Sequence, residues 1–289
     1  MRELLSILGL VLLWPMGISW AQLAPPNQEG VAMGHLHYFV RDMAANKKFW
    51  IALGGTSAEK IGNTDVIKLP NVLILMKEGE FNGGDTGSVV NHVGFRVENL
   101  VGTLEKLKAA GYKVEINQDV TPPRTGNAFT PDGERVEFFQ DGRENVRFVV
   151  DGGKTDPVAE RHNRKLPGPI MSHHIHLYVP EGKVAEAKAW YVKTFGAVPG
   201  KRWNYEAADL PGINLNFSEA HDPAAPTKGR ALDHIGFEIK NLEAFCKKLE
   251  ASGVKLDTPY KKNPTGLAIA FLTDPWGTSI ELTEGLRGL

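Results

Sequence analysis

A ten-residue segment that occurs twice constrains the fold of this chain more than any other feature of its sequence. Residues 91–100 read NHVGFRVENL, and residues 233–242 read DHIGFEIKNL. Each copy joins a β-favouring run that contains a histidine to an Asn that can cap a following helix. The chain is therefore predicted to be an internal duplication, with this strand and helix in each half.

Two further segments begin in the same way, which makes four related units. In each unit a histidine lies five residues before a Val or Ile of a predicted strand. These histidines are His35, His92, His174 and His234. A helical run follows each strand, and about three short β-rich runs follow each helix. The two halves of the chain therefore have the same predicted order of elements.

The composition is that of an ordinary globular protein, and the charges are balanced. The chain has 289 residues, of which 33 are Lys or Arg and 34 are Asp or Glu, and its formal net charge is −1. This length suffices for two domains of about 120 to 140 residues. Since there is no basic run, nothing indicates a nucleic-acid groove or an anionic membrane surface. We expect a small-molecule substrate, no nucleic acid, and a monomer or homodimer.

The first 21 residues have the form of a secretory signal peptide. A short charged start precedes the apolar run Leu4 to Trp14, and the pattern Ser-Trp-Ala precedes the expected cleavage after Ala21. This predicts an exported protein, periplasmic or secreted, with no membrane attachment after cleavage. The alternative is an uncleaved membrane anchor, which Pro15 and Gly17 disfavour because they interrupt the run.

The predicted domains follow the two halves of the repeat. The first covers residues 31–140 and the second covers residues 170–286. Residues 141–169 between them are rich in charged and turn-forming side chains. We interpret this segment as an extended linker whose apolar stretch, residues 146–150, lays one strand against a domain.

A glutamate recurs in the last strand of each half. Glu137 ends the segment TPDGERVE, and Glu281 ends the corresponding segment DPWGTSIE. A carboxylate on the inward face of a strand is unfavourable unless it is paired, and so are imidazoles collected opposite it. A divalent metal ion satisfies two histidines and one carboxylate together, and it leaves open positions for a substrate.

These motifs resemble the vicinal-oxygen-chelate (VOC) superfamily of glyoxalases, bleomycin-resistance proteins and extradiol dioxygenases, over nearly the whole mature chain. The resemblance implies an α+β fold of two tandem VOC domains, each of paired βαβββ modules that form an open half-barrel cup. It also implies a divalent metal, with Fe, Mn, Zn and Ni all compatible with the ligand types. The implied ligands are His35, His92 and Glu137 in the first cup, and His174, His234 and Glu281 in the second.

A second histidine lies two residues after the first-strand ligand in each cup, and therefore on the same face of its strand. These residues, His37 and His176, could be general acids or bases near the metal. Alternatively, they orient the ligands, replace them, or form hydrogen bonds in the core. His173 lies on the opposite face and is predicted to be exposed.

Departures from particular members of the superfamily narrow the predicted reaction. Extradiol dioxygenases usually carry a Tyr three residues before the closing Asp-Pro and a His slightly earlier, but this chain has Phe271 and no His in residues 261–270. Lactoylglutathione lyases usually take a further Glu ligand from the last strand of the first module. Neither residues 72–76 nor residues 214–218 contain a carboxylate, and Asn216 is the inward polar candidate.

The two cups are predicted to differ in their walls. With strand alternation, Asn214, Asn216 and Ser218 line a polar wall in the second cup, where the first has only Val, Leu, Ile and Met. The second cup is therefore the predicted working site.

Together these features predict a divalent-metal-dependent enzyme, glyoxalase-like or dioxygenase-like, that acts on a small substrate chelated through adjacent oxygens. The alternative is a non-catalytic binding or sequestering protein of the bleomycin-resistance type. Such proteins generally lack metal ligands, so the six predicted ligands favour the enzyme.

Overall fold

A computed structural model describes residues 23–143, 146–157, 160 and 163–289. The predicted signal peptide therefore lies outside the described residues. Within the described part of the chain, no helix is both long and apolar enough to span a bilayer.

The first half of the chain contains two modules with the same order of elements. Module one consists of β1 (Val31–Val40), α1 (Met43–Ala52), β2 (Thr56–Ile61), β3 (Thr64–Leu69) and β4 (Val72–Glu78). Module two consists of β5 (Val90–Val97), α2 (Leu100–Ala109), β6 (Val114–Ile116), β7 (Thr125–Phe129) and β8 (Arg135–Gln140).

The second half repeats this order after a short strand, β9 (Phe148–Val150). Module three consists of β10 (Ile170–Val179), α3 (Val184–Phe195), β11 (Val198–Arg202), β12 (Tyr205–Leu210) and β13 (Ile213–Glu219). Module four consists of β14 (Leu232–Ile239), α4 (Leu242–Ala251), β15 (Thr258–Lys262), β16 (Ala268–Thr273) and β17 (Ser279–Glu284). Short 3-10 turns lie at Asp151–Gly153 and Leu286–Gly288.

Short polar side chains start three of the helices. Asn99 accepts a hydrogen bond from the backbone N–H of Gly102 at 3.0 Å, and Asn241 accepts one from Ala244 at 3.4 Å. Asp42 caps α1 in the same way. The Asn cap predicted for both copies of the repeated segment is therefore confirmed.

The four modules form two open mixed sheets. Sheet one has the order β15-β16-β17-β14-β1-β4-β3-β2, which joins module one to module four. Sheet two has the order β6-β7-β8-β5-β10-β13-β12-β11-β9, which joins module two to module three. At the centre of each sheet the first strands of two modules pair antiparallel. The predicted α+β fold of open sheets is confirmed. Each sheet joins one module of the first half to one module of the second half. The predicted ligand sets instead require the two modules of the same half to share a sheet.

One face of each sheet packs on helices, and the other face carries the histidines. In β1, Leu36 and Tyr38 are buried in a continuous apolar core that includes residues of both sheets and of the helices. Because side chains alternate along a strand, His35 and His37 project from the opposite face. His92 in β5, His174 and His176 in β10, and His234 in β14 also project from the face opposite the helices.

The linker between the two halves extends sheet two. Strand β9 pairs antiparallel with β11, and Val150 lies opposite Gly200. The carbonyl oxygen of Val146, two residues before β9, lies 3.1 Å from Nε2 of His173 in β10.

Candidate functional site

The predicted histidines and glutamates collect in two clusters, one on each sheet. Site one, on sheet one, consists of His35, His37, His234 and Glu281. Site two, on sheet two, consists of His92, His174, His176 and the adjoining Glu137. Each site combines a histidine pair from one module with a histidine and a glutamate from the other.

In site one, two imidazoles contact the same carboxylate oxygen. His35 Nε2 lies 2.9 Å and His234 Nε2 lies 3.0 Å from Oε2 of Glu281. His234 Nδ1 lies 2.6 Å from Oδ1 of Asp233 and donates a hydrogen bond to it. Because His234 donates through Nδ1, its Nε2 can present a lone pair to a cation.

Site one carries negative charge around its imidazoles. Burial alone would raise the pKa of Glu281, but hydrogen bonds from His234 and His35 hold this pKa well below its usual range. Burial also opposes ionisation of Asp233, but the hydrogen bond from His234 lowers its pKa overall. Burial would lower the pKa of His234, and its bonds to the two carboxylates raise it instead. The two ionised carboxylates attract a cation.

The donor set of site one fits a divalent transition metal. Three imidazole nitrogens and one carboxylate oxygen lie within 4.8 Å of one another. The two closest described pairs are separated by 2.9 and 3.0 Å. Neighbouring ligands that are each ~2.1 Å from a shared cation are separated by ~3 Å. Imidazole and carboxylate donors together suit Fe, Mn, Zn and Ni.

The wall beside site one is apolar. Leu73 lies next to His35 and Leu75 lies next to His37 in the β1–β4 ladder, and both leucines are buried. The ring centre of His37 lies 4.5 Å from that of His234. Burial, followed by the charges of His234 and His35, lowers the pKa of His37 to about 3. His37 is therefore a neutral imidazole at neutral pH.

Site two repeats the central contacts of site one. His92 Nε2 lies 2.9 Å from Oε2 of Glu137. His174 Nε2 lies 3.3 Å from that oxygen and 3.2 Å from His92 Nε2. His176 Nε2 lies 2.8 Å from Oγ of Ser218. The same donor types therefore occupy equivalent strands of the two sheets.

Two arginines distinguish site two from site one. Arg135 donates hydrogen bonds through Nη2 to both His92 Nδ1 and Asn91 Oδ1. Arg202 is fully buried. Burial lowers the pKa of Arg202 to about 10, so it remains charged at neutral pH. Site two thus has positive charges where site one has a carboxylate.

The predicted polar wall belongs to site two. Asn214 and Asn216 lie beside His174 and His176 in the β10–β13 ladder. Oδ1 of Asn216 accepts a hydrogen bond from Nε of Arg202 at 3.1 Å. The oxygen considered above as a fourth metal ligand is therefore already hydrogen-bonded to a cation.

The two predicted ligand sets need a correction. In the first set, His92 and Glu137 meet on sheet two, but His35 lies on sheet one. In the second set, His234 and Glu281 meet on sheet one, but His174 lies on sheet two. His35 joins the ligands of module four, and His174 joins those of module two. The cup expected to be the working site is therefore divided between the two sheets. The cause is the antiparallel pairing of β1 with β14 and of β10 with β5.

The prediction that His173 is exposed is wrong. Its Nε2 lies 3.1 Å from the carbonyl oxygen of Val146, and its Nδ1 lies 3.1 Å from Nδ1 of His174. The side chain is fully buried. Strand β10 has a register irregularity between Ser172 and His174, which interrupts the simple alternation of faces.

Sequence reasoning missed the role of the glycine two residues after each repeated histidine. A Cβ on Gly236 would lie 2.0 to 2.4 Å from ring atoms of His35. A Cβ on Gly94 would lie 2.1 to 3.0 Å from ring atoms of His174. The His-x-Gly spacing therefore leaves room for the imidazole of the paired module, and it was visible in both copies of the repeat.

Comparison with protein families gives two matches within the chain. The sequence model of the Glyoxalase/Bleomycin resistance protein/Dioxygenase superfamily matches residues 32–138 and residues 172–282. These ranges correspond to the two halves of the repeat. No curated protein sequence matches the chain.

Several solved structures are similar over nearly the whole chain. Glyoxalase I from Zea mays has a TM-score of 0.64 at 16% identity, covering 89% of this chain and 94% of that chain. A mutant form of it gives 0.65 at 15% identity, with 90% and 95% covered. A candidate dioxygenase from Bacillus subtilis subsp. subtilis str. 168 gives 0.59 at 12% identity, with 91% and 86% covered. At these identities the likeness shows a shared fold.

Proposed function

The chain belongs to the Glyoxalase/Bleomycin resistance protein/Dioxygenase superfamily, and we propose that it is a divalent-metal-dependent enzyme whose metal centre is site one. Its substrate is a small molecule with two adjacent oxygen atoms. The observation that carries this proposal is the convergence of His35 and His234 on one oxygen of Glu281. Such a buried cluster beside a second carboxylate is the environment that a divalent cation stabilises.

The residues of site one have distinct roles in this proposal. A bound divalent cation would supply a Lewis acid that stabilises negative charge on the substrate oxygens. His35, His234 and Glu281 would hold it, and Asp233 orients His234 by accepting its Nδ1–H. The leucines of the β4 wall exclude water, which strengthens electrostatic interactions in the site.

His37 is the proposed proton acceptor for the substrate. It lies on the same face as the ligands, next to His234, and it is more exposed than His35. A neutral imidazole at this place can take a proton from a group beside the chelated oxygens. His176 has the equivalent place in site two, where its described hydrogen bond is with Ser218.

Elemental analysis of the purified full chain tests the metal centre. We expect about one Fe, Mn, Zn or Ni ion per chain, lost in Glu281→Gln and kept in the matched variant Glu137→Gln. His37→Gln should keep the metal and lose turnover of small α-hydroxy carbonyl substrates. If the native chain neither contains nor takes up metal, the enzyme proposal fails and a small-molecule binding protein remains. If Glu137→Gln alone loses the metal, the centre is site two.

We also propose that the protein is exported and that residues 1–21 are removed. The support is the sequence pattern alone, a charged start, an apolar run and a small-residue cleavage site. N-terminal sequencing of the protein recovered outside the cytoplasm should begin at Gln22. A mature chain that begins at Met1 would contradict cleavage.

A further inference from the structure

Site two differs from site one in the charges around its histidines. Arg135 and Arg202 bring two positive charges to it, and Glu137 brings one negative charge. Arg135 is the first residue of β8, and Ser279 is the first residue of the equivalent strand β17. Arg202 ends β11, and Ile61 ends the equivalent strand β2. Sheet one therefore has uncharged residues at both places, and the electrostatics of site two disfavour a divalent cation.

The charge beside His92 also opposes metal binding. His92 Nδ1 lies 2.9 Å from Oδ1 of Asn91, and it also contacts the guanidinium of Arg135. A guanidinium is always charged, so its positive charge stays next to this imidazole. In site one, the neighbour of His234 Nδ1 is instead the carboxylate of Asp233.

Within the described residues, site two also contains a buried donor without a hydrogen-bond partner. Asn216 is fully buried, and its Nδ2 has no partner among the residues that the structure describes. Because Arg202 donates to its Oδ1, the amide is held with Nδ2 as the group that remains to donate. Guanidinium and amide N–H groups are the donors that bind carboxylate and phosphate oxygens.

Aromatic side chains lie next to these donors. The ring of Tyr205 lies 4.7 Å from that of His176 and 5.7 Å from the guanidinium carbon of Arg202. Trp203, which is 52% exposed, lies 6.3 Å from Tyr205. These rings provide an apolar surface between the buried charges and solvent.

We propose that site two binds the anionic oxygen group of a small molecule, a carboxylate or a phosphate, in place of a divalent cation. Arg202 and Asn216 donate to the anion, and Arg135 adds a second positive charge. Glu137 is hydrogen-bonded to His92, so its negative charge lies against an imidazole. The two sheets then hold different ligands, a cation at site one and an anion at site two. This inference concerns site two alone and stands independently of the enzyme proposal.

Calorimetric titration of the full chain with inorganic phosphate and with acetate tests the proposal. The His35→Gln background removes metal binding at site one, so the heat reports on site two. We expect saturable binding that Arg202→Gln weakens by about 10- to 100-fold. Asn216→Leu, which copies Leu75 of sheet one, should weaken it about 10-fold. The matched control is Lys201→Gln, which removes a neighbouring cation whose side chain is 60% exposed and should leave binding unchanged.

The affinities for phosphate and for acetate show whether site two prefers a phosphate group or a carboxylate group. Circular dichroism confirms that each variant is folded, and Asn216→Leu keeps the test valid if Arg202→Gln does not fold. The proposal is overturned if the folded His35→Gln chain binds neither anion, or if Asn216→Leu and the folded Arg202→Gln bind like their parent. It is also overturned if the native chain binds a second metal ion that His174→Gln loses.

Discussion

Site one and site two place the same donor types on equivalent strands, yet the partners of these donors give the two sites opposite charge. Behind His234 stands Asp233, which accepts a hydrogen bond from Nδ1. Behind His92 stand the amide of Asn91, whose Oδ1 lies 2.9 Å from Nδ1, and the guanidinium of Arg135. The comparison teaches that the same ligand residues can have surroundings of different charge. We expect this local charge to decide which of the two clusters binds metal.

The strand next to the histidines is apolar in site one and polar in site two. Leu75 stands beside His37 in sheet one, and Asn216 stands beside His176 in sheet two. An apolar wall strengthens the attraction between carboxylates and a cation, because it lowers the local dielectric. A polar wall instead satisfies a buried guanidinium, which would otherwise be costly to bury.

The largest predicted effect comes from replacing Asn91 and Arg135 of site two by the residues at the equivalent positions of sheet one, which are Asp233 and Ser279. In the His35→Gln background, Asn91→Asp combined with Arg135→Ser makes the charge of site two more negative by two. It also places a carboxylate beside His92 Nδ1, as Asp233 is beside His234 Nδ1. We expect the affinity of site two for Mn²⁺ or Zn²⁺ to rise at least ~100-fold, since a favourable change of ~3 kcal/mol suffices. Metal titration checks this, and adding His174→Gln should abolish the gain. No gain would show that local charge does not separate the sites.

The reverse change should weaken site one. Asp233→Asn removes a charge and the preferred acceptor for His234 Nδ1, so metal affinity should fall by about 10- to 100-fold. Competition with a metal chelator measures this loss. Asp257→Asn is the matched control, because it removes an exposed carboxylate of the same module and should leave the affinity unchanged. An equal loss in both variants would point to long-range charge rather than to the contact.

The two glycines of the repeat should separate stability from metal binding. Gly236→Ala and Gly94→Ala each force a methyl group into the ring of the paired histidine, which should cost about 1 to 2 kcal/mol in unfolding free energy. Urea denaturation measures this cost, and Gly288→Ala, which meets no atom within 4 Å, is the control. Metal content should fall in Gly236→Ala and stay unchanged in Gly94→Ala. Equal metal loss in both would contradict the assignment of the metal to site one.

Much of this arrangement could be predicted from the sequence, because it follows from local patterns. The repeated segment gave the strands, the Asn caps and the residue types that collect on one face. Module pairing could not be predicted in this way. Both β5 and β14 carry the His-x-Gly-Phe pattern that receives a histidine pair, so local rules permit β1 to pair with either strand. The choice depends on long-range contacts that no single segment encodes.

The charged groups of site two were also beyond local patterns. Arg202 ends a strand beside a turn, a position that suggests exposure, yet it is fully buried. Its burial depends on Asn216 from another strand, and on Glu137 from another module. The burial of His173 was not predicted for a related reason. An irregularity in β10 changes the alternation of side chains between the two faces of the strand, and no residue in the sequence marks it.

The closing turns of the two sheets also differ in charge. In sheet two, Asp85 accepts a hydrogen bond from the backbone N–H of Arg135 at 2.6 Å, and Glu134 accepts one from Asp85 at 2.8 Å. Both carboxyl groups are buried. In sheet one, Oγ1 of Thr227 accepts the equivalent bond from Ser279 at 2.9 Å. Asp85 and Glu134 of sheet two therefore correspond to the hydroxyl residues Thr227 and Thr278 of sheet one, whose closing turn has its own buried acid at Asp274.

The last predicted effect is a pH dependence of stability that arises in sheet two. Burial, followed by the charge of Asp85, raises the pKa of Glu134 from 4.5 to about 8. Such a carboxyl stabilises the fold below its unfolded pKa, and this contribution is lost as the pH rises through the folded pKa. Glu134→Gln cannot ionise, so it should lose less stability than the native chain between pH 4.5 and 8. We expect it to gain stability relative to the native chain across this range, measured by urea denaturation. Thr227→Val, at the place in sheet one equivalent to Asp85, should shift stability equally at pH 4.5 and pH 8, because its described partner is a backbone N–H. If Glu134→Gln also differs from the native chain by the same amount at both pH values, ionisation of Glu134 does not affect the stability of sheet two.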